Sequence, residues 1–265
     1  MLGGAATAAG LWASQAAGRA SRVPEKFRGL QLYTVRAAFQ PDPFGTLRRV
    51  REIGYRYVET AGLAGKSAHE IKAEMDKLGL EAVSSHINPD DWYTRVDAAL
   101  DDVAILGARF AVVPWTREDE RDDWPGFAGK VNGWAAKAKA RGLRLAYHNH
   151  EFELAGEPGA RPLEVLMAHT DPALVDFELD VHWAAVAKLD PVSLILAHPK
   201  RIRMLHLKDR DANNAQRPVG SGIDNFPAIL SAAAKTGIAF GFVEQDDVTD
   251  AFAEITASRR YLESH

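Results

Sequence analysis

Eight short apolar runs, many of them rich in β-branched residues, alternate along the chain with longer stretches of helical periodicity. The runs are Leu30–Val35, Tyr55–Thr60, Leu80–His86, Arg109–Pro114, Leu143–His148, Leu174–Asp180, Ile202–Leu207 and Ala239–Glu244. Their starts lie about 25 to 37 residues apart, a normal length for one strand and one helix. Eight such units in a chain of 265 residues predict a single α/β domain, a (β/α)8 TIM barrel.

An open, doubly wound sheet is the alternative arrangement of alternating strands and helices. Such a sheet usually carries a glycine-rich phosphate loop after its first strand. Here the first apolar run leads into QLYTVRAAFQPDP, which contains no glycine. We therefore favour the barrel, with small or polar side chains facing its axis and bulky apolar side chains facing the helices.

The first 20 residues, MLGGAATAAGLWASQAAGRA, differ from the rest of the chain because they are rich in alanine and glycine and contain no acid. Small residues such as those at 13–17 are typical of the cleavage region of an export signal. We predict that residues 1–27 are the remnant of such a signal and a linker, that residues 28–265 form the catalytic domain, and that the protein is periplasmic or exported. The alternative is an alanine-rich extension on a cytoplasmic protein.

Composition excludes several kinds of site and partner. The chain has no cysteine, which excludes disulfides, zinc–thiolate sites and a thiol nucleophile. Its 32 basic and 36 acidic residues leave a formal charge of −4, which argues against electrostatic binding of nucleic acid. We expect a small-molecule partner, no nucleic acid and no stable insertion into a membrane, because the apolar part of the first segment is too short to span a bilayer.

Polar side chains recur where the apolar runs end, and barrel enzymes build their active sites at the carboxyl ends of strands. In this chain those ends carry Glu59, His86, Trp115, His148, His150, Asp180, His182, His206, Lys208 and Glu244. Because alternate residues of a strand share a face, His148, Asp180, His206 and Glu244 are expected to converge above the barrel.

Two imidazoles and two carboxylates are typical ligands of Mn²⁺, Co²⁺, Zn²⁺ or Fe²⁺, whereas Mg²⁺ and Ca²⁺ favour oxygen ligands alone. We therefore predict one divalent cation held by His148, Asp180, His206 and Glu244. The alternative for the same residues is a buried network of histidines and carboxylates without a metal.

Five strings carry a resemblance to a known family, and they are GLQLYTVR, YHNHEFE, FELDVHWA, LHLKDRD and GFVEQDD. Over about residues 28–263 the chain resembles the xylose-isomerase-like TIM-barrel family. That family holds sugar-phosphate isomerases and epimerases, ketose 3-epimerases, and inosose and 3-dehydroshikimate dehydratases. The resemblance implies a metal-dependent sugar isomerase or epimerase that forms an enediolate by removing a proton next to a carbonyl.

One predicted ligand departs from the pattern of the ketose epimerases that this chain resembles. Those enzymes hold their metal through Glu, Asp, His and Glu, and the last three map onto Asp180, His206 and Glu244. The first glutamate falls where this chain has His148, within AYHNH. Since both glutamates also carry protons in the epimerases, the departure favours a branch with inosose-dehydratase-like and keto-glycoside-cleaving members. A keto-sugar dehydratase or a 3-keto-glycoside lyase is therefore the alternative reaction.

The residues expected to carry the reaction are Glu244, His148, His150 and Lys208. Glu244 is expected to act as general base as well as ligand, and His150 either carries a second proton or orients a ligand. Lys208 would stabilise the enediolate, or instead form an ion pair with Asp209 or Glu178. The residues expected to contact the sugar are Glu59, His86, Trp115, His182 and Arg217.

Two other classes of protein share this kind of barrel. An endonuclease resembling apurinic-site repair enzymes would need more histidine and acidic ligands and a more positive surface. A non-catalytic sugar-binding barrel would lack a metal ligand, and the change at His148 is compatible with it. Barrels of this family often pair, so a homodimer is also an expectation.

Overall fold

The computed structural model describes residues 23–265. Its strands are β1 (Gly29–Gln31), β2 (Tyr57–Ala61), β3 (Glu81–His86), β4 (Phe110–Val113), β5 (Arg144–His148), β6 (Val175–Asp180), β7 (Ile202–Leu207), β8 (Asp209–Arg210), β9 (Gln216–Arg217) and β10 (Phe240–Val243). Eight of them form a closed parallel barrel in the order β1-β10-β7-β6-β5-β4-β3-β2, and β8 and β9 form a separate antiparallel pair. The predicted (β/α)8 TIM barrel is confirmed.

Helices follow the strands around the outside of the barrel. They are α1 (Arg36–Phe39), α2 (Pro43–Ile53), α3 (Ala68–Leu78), α4 (Asp91–Thr94), α5 (Val96–Leu106), α6 (Trp124–Lys139), α7 (Pro162–His169), α8 (Val181–Val186), α9 (Pro191–Ala197), α10 (Phe226–Thr236) and α11 (Ala251–Ser264). Short 3-10 helices occupy Glu25–Phe27, Leu32–Val35, Glu118–Glu120 and Phe152–Leu154.

The local sequence explains where these helices begin and end. Asp42 precedes α2, and its side chain accepts a hydrogen bond from the backbone N–H of Gly45 at 2.9 Å, with a proline in the first turn. The same helix ends at Gly54, whose φ is 113°. Glycine adopts this left-handed conformation readily, whereas a residue with a side chain would be strained there. Helix caps of this kind define where each helix begins and ends, which allows the short connections that a barrel needs.

One predicted strand is shorter in the structure. The apolar run Leu30–Val35 forms only β1, and a 3-10 helix follows it at Leu32–Val35. The reason is local, because the side chain of Gln31 accepts a hydrogen bond from the backbone N–H of Tyr33 at 3.1 Å and turns the chain.

Apolar side chains form two separate layers. The larger lies between the strands and the helices, and the smaller fills the inside of the barrel. The inner layer consists of Val83, Phe110, Val112, Ala146, Met204, Phe240 and Phe242. The expectation that only small or polar residues face the axis is therefore wrong, since these bulky side chains close the barrel below the polar residues at its carboxyl end.

Residues 23–27 pack against the barrel. Val23 and Phe27 belong to the larger apolar layer, and Arg259 of α11 forms an ion pair with Glu25 at 2.9 Å. The predicted export signal lies almost wholly outside the described residues, so the division at residue 27 and an exported location stay predictions. Across residues 23–265, none of the helices has the length and apolar character needed to cross a membrane.

Candidate active site at the carboxyl end of the barrel

The carboxyl end of the barrel brings together six of the residues predicted from the strand ends. These are Glu59 of β2, His86 of β3, His148 of β5, Asp180 of β6, His206 of β7 and Glu244, which directly follows β10. Alternation along each strand turns their side chains to the inside. All are buried except His86, whose side chain is 10% exposed.

Glu59 lies at the bottom of this group and is fully buried. Its Oε1 accepts a hydrogen bond from Nε2 of Gln31 at 2.6 Å and faces Nε2 of His206 at 2.7 Å and Nε2 of His86 at 3.1 Å. A register shift between β2 and β3 pairs Glu59 with Ser84, whose hydroxyl donates to Oε2. Burial would raise the pKa of Glu59, but His86 and His206 outweigh it and hold that pKa well below its ordinary value.

Glu178, which the sequence did not single out as a site residue, lies among three histidines. Its Oε2 is 2.9 Å from Nε2 of His86, 3.2 Å from Nε2 of His206 and 3.8 Å from Nδ1 of His148. A signal for it exists, because Glu178 shares a strand face with Asp180 two residues later. Strand parity identifies the face, but it does not tell how deep in the barrel a side chain lies.

Asp180 uses its two carboxylate oxygens in different ways. Oδ1 accepts hydrogen bonds from the backbone N–H groups of His182 at 2.9 Å and Trp183 at 3.1 Å, so Asp180 is the N-cap of α8. Oδ2 lies 3.9 Å from Nδ1 of His206, and Oε2 of Glu244 lies 2.6 Å from the same nitrogen. Burial raises the pKa of Asp180 to about 6.

Several buried ligand atoms have no aligned hydrogen-bond partner within residues 23–265. They include Nδ1 of His148, Oδ2 of Asp180, Nδ1 of His206 and Oε2 of Glu244. Buried polar atoms without partners are rare and costly, and converging lone pairs are what a cation requires. The predicted ligands therefore fit a divalent cation.

The ligand atoms fall into two adjacent groups. Asp180, His206 and Glu244 have ligand atoms within 4.8 Å of one another, and His86, His148, Glu178 and His206 form a second group at the same limit. His206 belongs to both groups, since Nδ1 faces the first and Nε2 faces the second. His148 thus lies closer to the second group than the predicted four-ligand site implies.

Lys208 is buried beside the first group. Its Nζ lies 2.9 Å from Oδ2 of Asp180, 2.8 Å from Oε2 of Glu244 and 2.9 Å from Oδ2 of Asp246. Burial alone would lower the pKa of Lys208, but these carboxylates raise it well above its ordinary value. The ammonium group neutralises the same oxygens that a cation would use.

Asp209 has a different role from the one considered for it. Its carboxylate accepts hydrogen bonds from the backbone N–H groups of Gly220 at 3.0 Å, Gly222 at 2.9 Å and Asp224 at 3.2 Å. The alternative of an ion pair between Lys208 and Asp209 or Glu178 is not found among the described residues, since Lys208 pairs with Asp180, Glu244 and Asp246. Asp209 instead stabilises the loop between β9 and α10.

A further buried carboxylate, Glu153, lies behind His150. It accepts hydrogen bonds from the hydroxyl of Tyr147 at 2.6 Å and from the backbone N–H of His150 at 2.7 Å. The hydroxyls of Tyr147 and Thr116 are 2.6 Å apart. Burial raises the pKa of Glu153 to about 7. The sequence did not predict this network, because Glu153 lies in a 3-10 turn without a regular period.

A cavity of about 420 Å³ opens above the buried group. The predicted residues that line it are His86, Trp115, His148, His150 and Glu244. Two further lining residues, Tyr33 and Asp246, were not predicted as site residues. The sequence indicates these two residues only by their position, since each follows a barrel strand by a few residues.

Three residues predicted to contact the sugar do not line this cavity. Glu59 lies below it and contacts His206 instead. Arg217 is half exposed and forms an ion pair with Asp211 at 2.6 Å within the β8–β9 hairpin. His182 is buried beside Trp183, with ring centroids 4.7 Å apart. The geometry does not support direct contacts from these three side chains.

Comparison with known proteins finds similar sequences and a similar fold. A family model described as xylose isomerase-like TIM barrel matches residues 47–262. The rhizopine catabolism protein MocC of Rhizobium meliloti is 26% identical over 232 residues, 72% of this chain and 70% of that protein. An inosose dehydratase of Bacillus licheniformis is 27% identical over 166 residues, which cover 54% of this chain and 55% of that enzyme. A solved sugar phosphate isomerase/epimerase of Parabacteroides distasonis is 28% identical with a TM-score of 0.78, over 96% of this chain and 98% of that one.

Proposed function

Because the chain belongs to the xylose isomerase-like TIM-barrel family, we propose that it is a divalent-metal-dependent enzyme that removes a proton next to the carbonyl of a sugar or sugar-like ketone. One observation carries the proposal. The ligand atoms of Asp180, His206 and Glu244 lie within 4.8 Å of one another where Glu244 also lines an open cavity. A cation held there would contact both the protein and a substrate.

The residues for such a reaction are arranged around the cavity. Asp180, His206 and Glu244 would hold the cation, with His148 as the fourth ligand. A bound divalent cation supplies Lewis acidity, which stabilises the enediolate formed when the proton leaves. Glu59 faces Nε2 of His206 from below, and this contact orients Nδ1 toward the site.

Proton transfer falls to groups that line the cavity. A carboxylate oxygen of Glu244 accepts the proton from the α-carbon, and the electrons of the broken C–H bond form the enediolate. His150 lines the same cavity, but burial lowers its pKa to about 4, so it carries no imidazolium proton at neutral pH and the protonated Glu244 returns the proton to the substrate. Return to the neighbouring carbon gives isomerisation, and return to the opposite face of the same carbon gives epimerisation.

Elimination is the second candidate, and a specific observation favours it. His148 occupies the position of the first glutamate of the ketose epimerases, so Glu244 is the one carboxylate left of that pair of bases. In an elimination the enediolate would expel a β-hydroxyl or alkoxide, which would take the abstracted proton back from Glu244 as it leaves. The similarity to an inosose dehydratase supports this reaction, and a 3-keto-glycoside lyase would use the same residues.

The test combines metal content with proton exchange. Elemental analysis of the purified protein is expected to find about one Mn, Co, Zn or Fe per chain. Incubation with inosose or a ketose in D₂O is expected to exchange the α-proton, which NMR detects, and loss of water would appear as a new alkene signal. Metal binding without exchange on any ketone would leave a sugar-binding barrel as the better account.

Asp180→Asn and Asp176→Asn make a matched pair for this test. Both residues are buried on the inner face of β6, but Asp176 forms an ion pair with Arg144 at the other end of the strand. We expect Asp180→Asn to lose metal and exchange, and Asp176→Asn to keep both. Equal loss in the two variants would indicate damage to the barrel and would contradict the assignment of Asp180 as a ligand.

A further inference from the structure

Lys208 contacts the oxygens that the proposed cation needs. Its ammonium group lies 2.9 Å from Oδ2 of Asp180 and 2.8 Å from Oε2 of Glu244, and both residues belong to the proposed ligand set. The side chain of Lys208 is 1% exposed, so water does not shield its charge. An ammonium group and a divalent cation therefore compete for the same two oxygens, and their like charges repel each other.

A third carboxylate gives Lys208 another partner. Oδ2 of Asp246 lies 2.9 Å from Nζ, and this contact has the alignment of a hydrogen bond. Oδ2 of Asp180 and Oε2 of Glu244 lie equally close to Nζ but have no aligned hydrogen-bond partner within residues 23–265. The ammonium group is therefore hydrogen-bonded to Asp246 and ion-paired with the two ligand oxygens.

Three further hydrogen bonds fix Asp246 beside the lysine. Its backbone N–H donates to Oε1 of Gln216 at 2.6 Å, and its Oδ2 accepts from Nε2 of the same glutamine at 2.7 Å. Its carbonyl oxygen accepts from Arg36 at 2.7 Å. Gln216 belongs to β9 and Arg36 to α1, so two separate elements hold the residue that holds Lys208.

The charges around Lys208 suit a divalent cation. Three carboxylates, those of Asp180, Glu244 and Asp246, surround the one ammonium group. Their negative charges balance the ammonium group together with one divalent cation, whereas without Asp246 the same group would keep an excess of positive charge. Asp246 lies outside the group of ligand atoms formed by Asp180, His206 and Glu244. It can therefore keep Lys208 paired while the ligand oxygens bind a cation, and a buried charge without a partner is costly.

We propose that Asp246 is a positioning residue, which holds the ammonium group of Lys208 when a divalent cation occupies the oxygens of Asp180 and Glu244, and that Gln216 fixes Asp246 for this role. The proposal rests on the proposed function, because it requires the cation site. It also deepens that function, since the affinity for the metal then depends on residues that do not bind the metal.

The experiment measures the binding of Mn²⁺, and in parallel of Zn²⁺, to the EDTA-treated and dialysed protein by isothermal titration calorimetry. We expect Asp246→Asn to bind both ions about tenfold more weakly than the parent, because Lys208 then has only the ligand carboxylates as charged partners. Gln216→Leu keeps the carboxylate but loses the two hydrogen bonds that fix it, and should weaken binding about threefold.

Asp247→Asn is the matched control. It removes the same charge from the next residue in the chain, which is exposed to solvent. Solvent and salt screen such a charge, so the affinity for either ion should change by less than about twofold.

A double-mutant cycle with Lys208→Met tests whether Asp246 acts through the lysine. Lys208→Met removes the competing ammonium group, so this variant should bind Mn²⁺ more tightly than the parent. In its background Asp246→Asn should weaken binding by less than about threefold, because no ammonium group remains to be held. Circular dichroism of the metal-loaded proteins checks that each variant is folded, and Gln216→Leu provides an independent test of the same contact.

Three results would overturn the role of Asp246. They are an unchanged affinity in Asp246→Asn, an equal loss in Asp247→Asn, and an equal loss in the Lys208→Met background, which would mean that Asp246 acts on the cation directly or through the fold. Failure of the proposed function gives different results. A parent protein that binds neither ion would reject the cation site and this role together, whereas metal binding without proton exchange would reject only the catalytic assignment.

Discussion

Glu153→Gln tests whether the buried carboxylate behind His150 destabilises the fold at neutral pH. Glu153 is fully buried, and its oxygens accept hydrogen bonds from the Tyr147 hydroxyl and the His150 backbone N–H. Burial raises its pKa from 4.5 to about 7. Glutamine keeps the shape and one acceptor, and its amide can donate to the Tyr147 hydroxyl, which lies 2.6 Å from the Thr116 hydroxyl.

The sign and size of the effect follow from the two pKa values. The folded protein holds the Glu153 proton more tightly than the unfolded chain, so the favourable contribution is present at low pH and is lost as pH rises from about 4.5 through about 7. The full difference corresponds to about 3 kcal/mol of unfolding free energy. About 2 kcal/mol of it falls between pH 5.5 and pH 8.

Urea unfolding followed by tryptophan fluorescence, repeated across that pH range, measures the effect. The unfolding free energy of Glu153→Gln minus that of the parent should rise by about 2 kcal/mol from pH 5.5 to pH 8. Subtraction removes the contribution of every other titrating group. Glu157→Gln, in the exposed part of the same loop, should give a difference that does not depend on pH. A flat difference for Glu153→Gln, or one that falls with pH, would refute the reasoning.

Three further predictions concern the core, the loop and the buried lysine. Phe242→Ala removes a fully buried ring from the inner layer and should lower the unfolding free energy by about 3 to 5 kcal/mol in denaturant titration. Asp209→Ala removes the acceptor for four backbone N–H groups, three of them in the loop after β9, so residues 218–224 should lose hydrogen-exchange protection and the unfolding free energy should fall by about 3 kcal/mol. Unchanged protection would contradict the role of Asp209. Lys208→Met removes the ammonium group beside Asp180 and Glu244, so in EDTA the unfolding free energy should fall by about 3 to 5 kcal/mol. Mn²⁺ should restore part of this loss, which melting curves with and without the metal would measure. No recovery would contradict a cation site at these oxygens.

Much of the fold is predictable from the sequence because strand and helix periods are local properties. Ile202–Leu207 is found with its predicted bounds, since this mostly apolar run is bounded by the charged residues Arg201 and Lys208. Leu30–Val35 is not, because the Gln31 side chain competes with the strand for a backbone N–H. A single side-chain hydrogen bond of this kind leaves the hydrophobic pattern unchanged, so that pattern does not predict where the strand ends.

The site was predictable to a similar extent and for a similar reason. Parity selects the inner face for His206 and Glu244, and both lie there. Parity does not give depth, so Glu59 was expected at the sugar and lies beneath His206. Depth depends on the register between neighbouring strands, including the shift between β2 and β3, and register is a property of the closed barrel. Arg217 was misplaced because its loop forms a hairpin with its own ion pair.

The double use of Asp180 has a consequence for how this site can diverge over evolution. Because Oδ1 caps α8, replacing Asp180 by histidine or by the longer glutamate would disturb the start of a helix as well as the cation site. His148 carries no such second duty, since its Nδ1 has no hydrogen-bond partner among the described residues. Exchange between glutamate and histidine at the end of β5 therefore leaves the barrel intact while it changes which group can move a proton. We therefore expect proteins with this fold to differ in chemistry through substitutions at the end of β5, while the residue at the end of β6 stays the same.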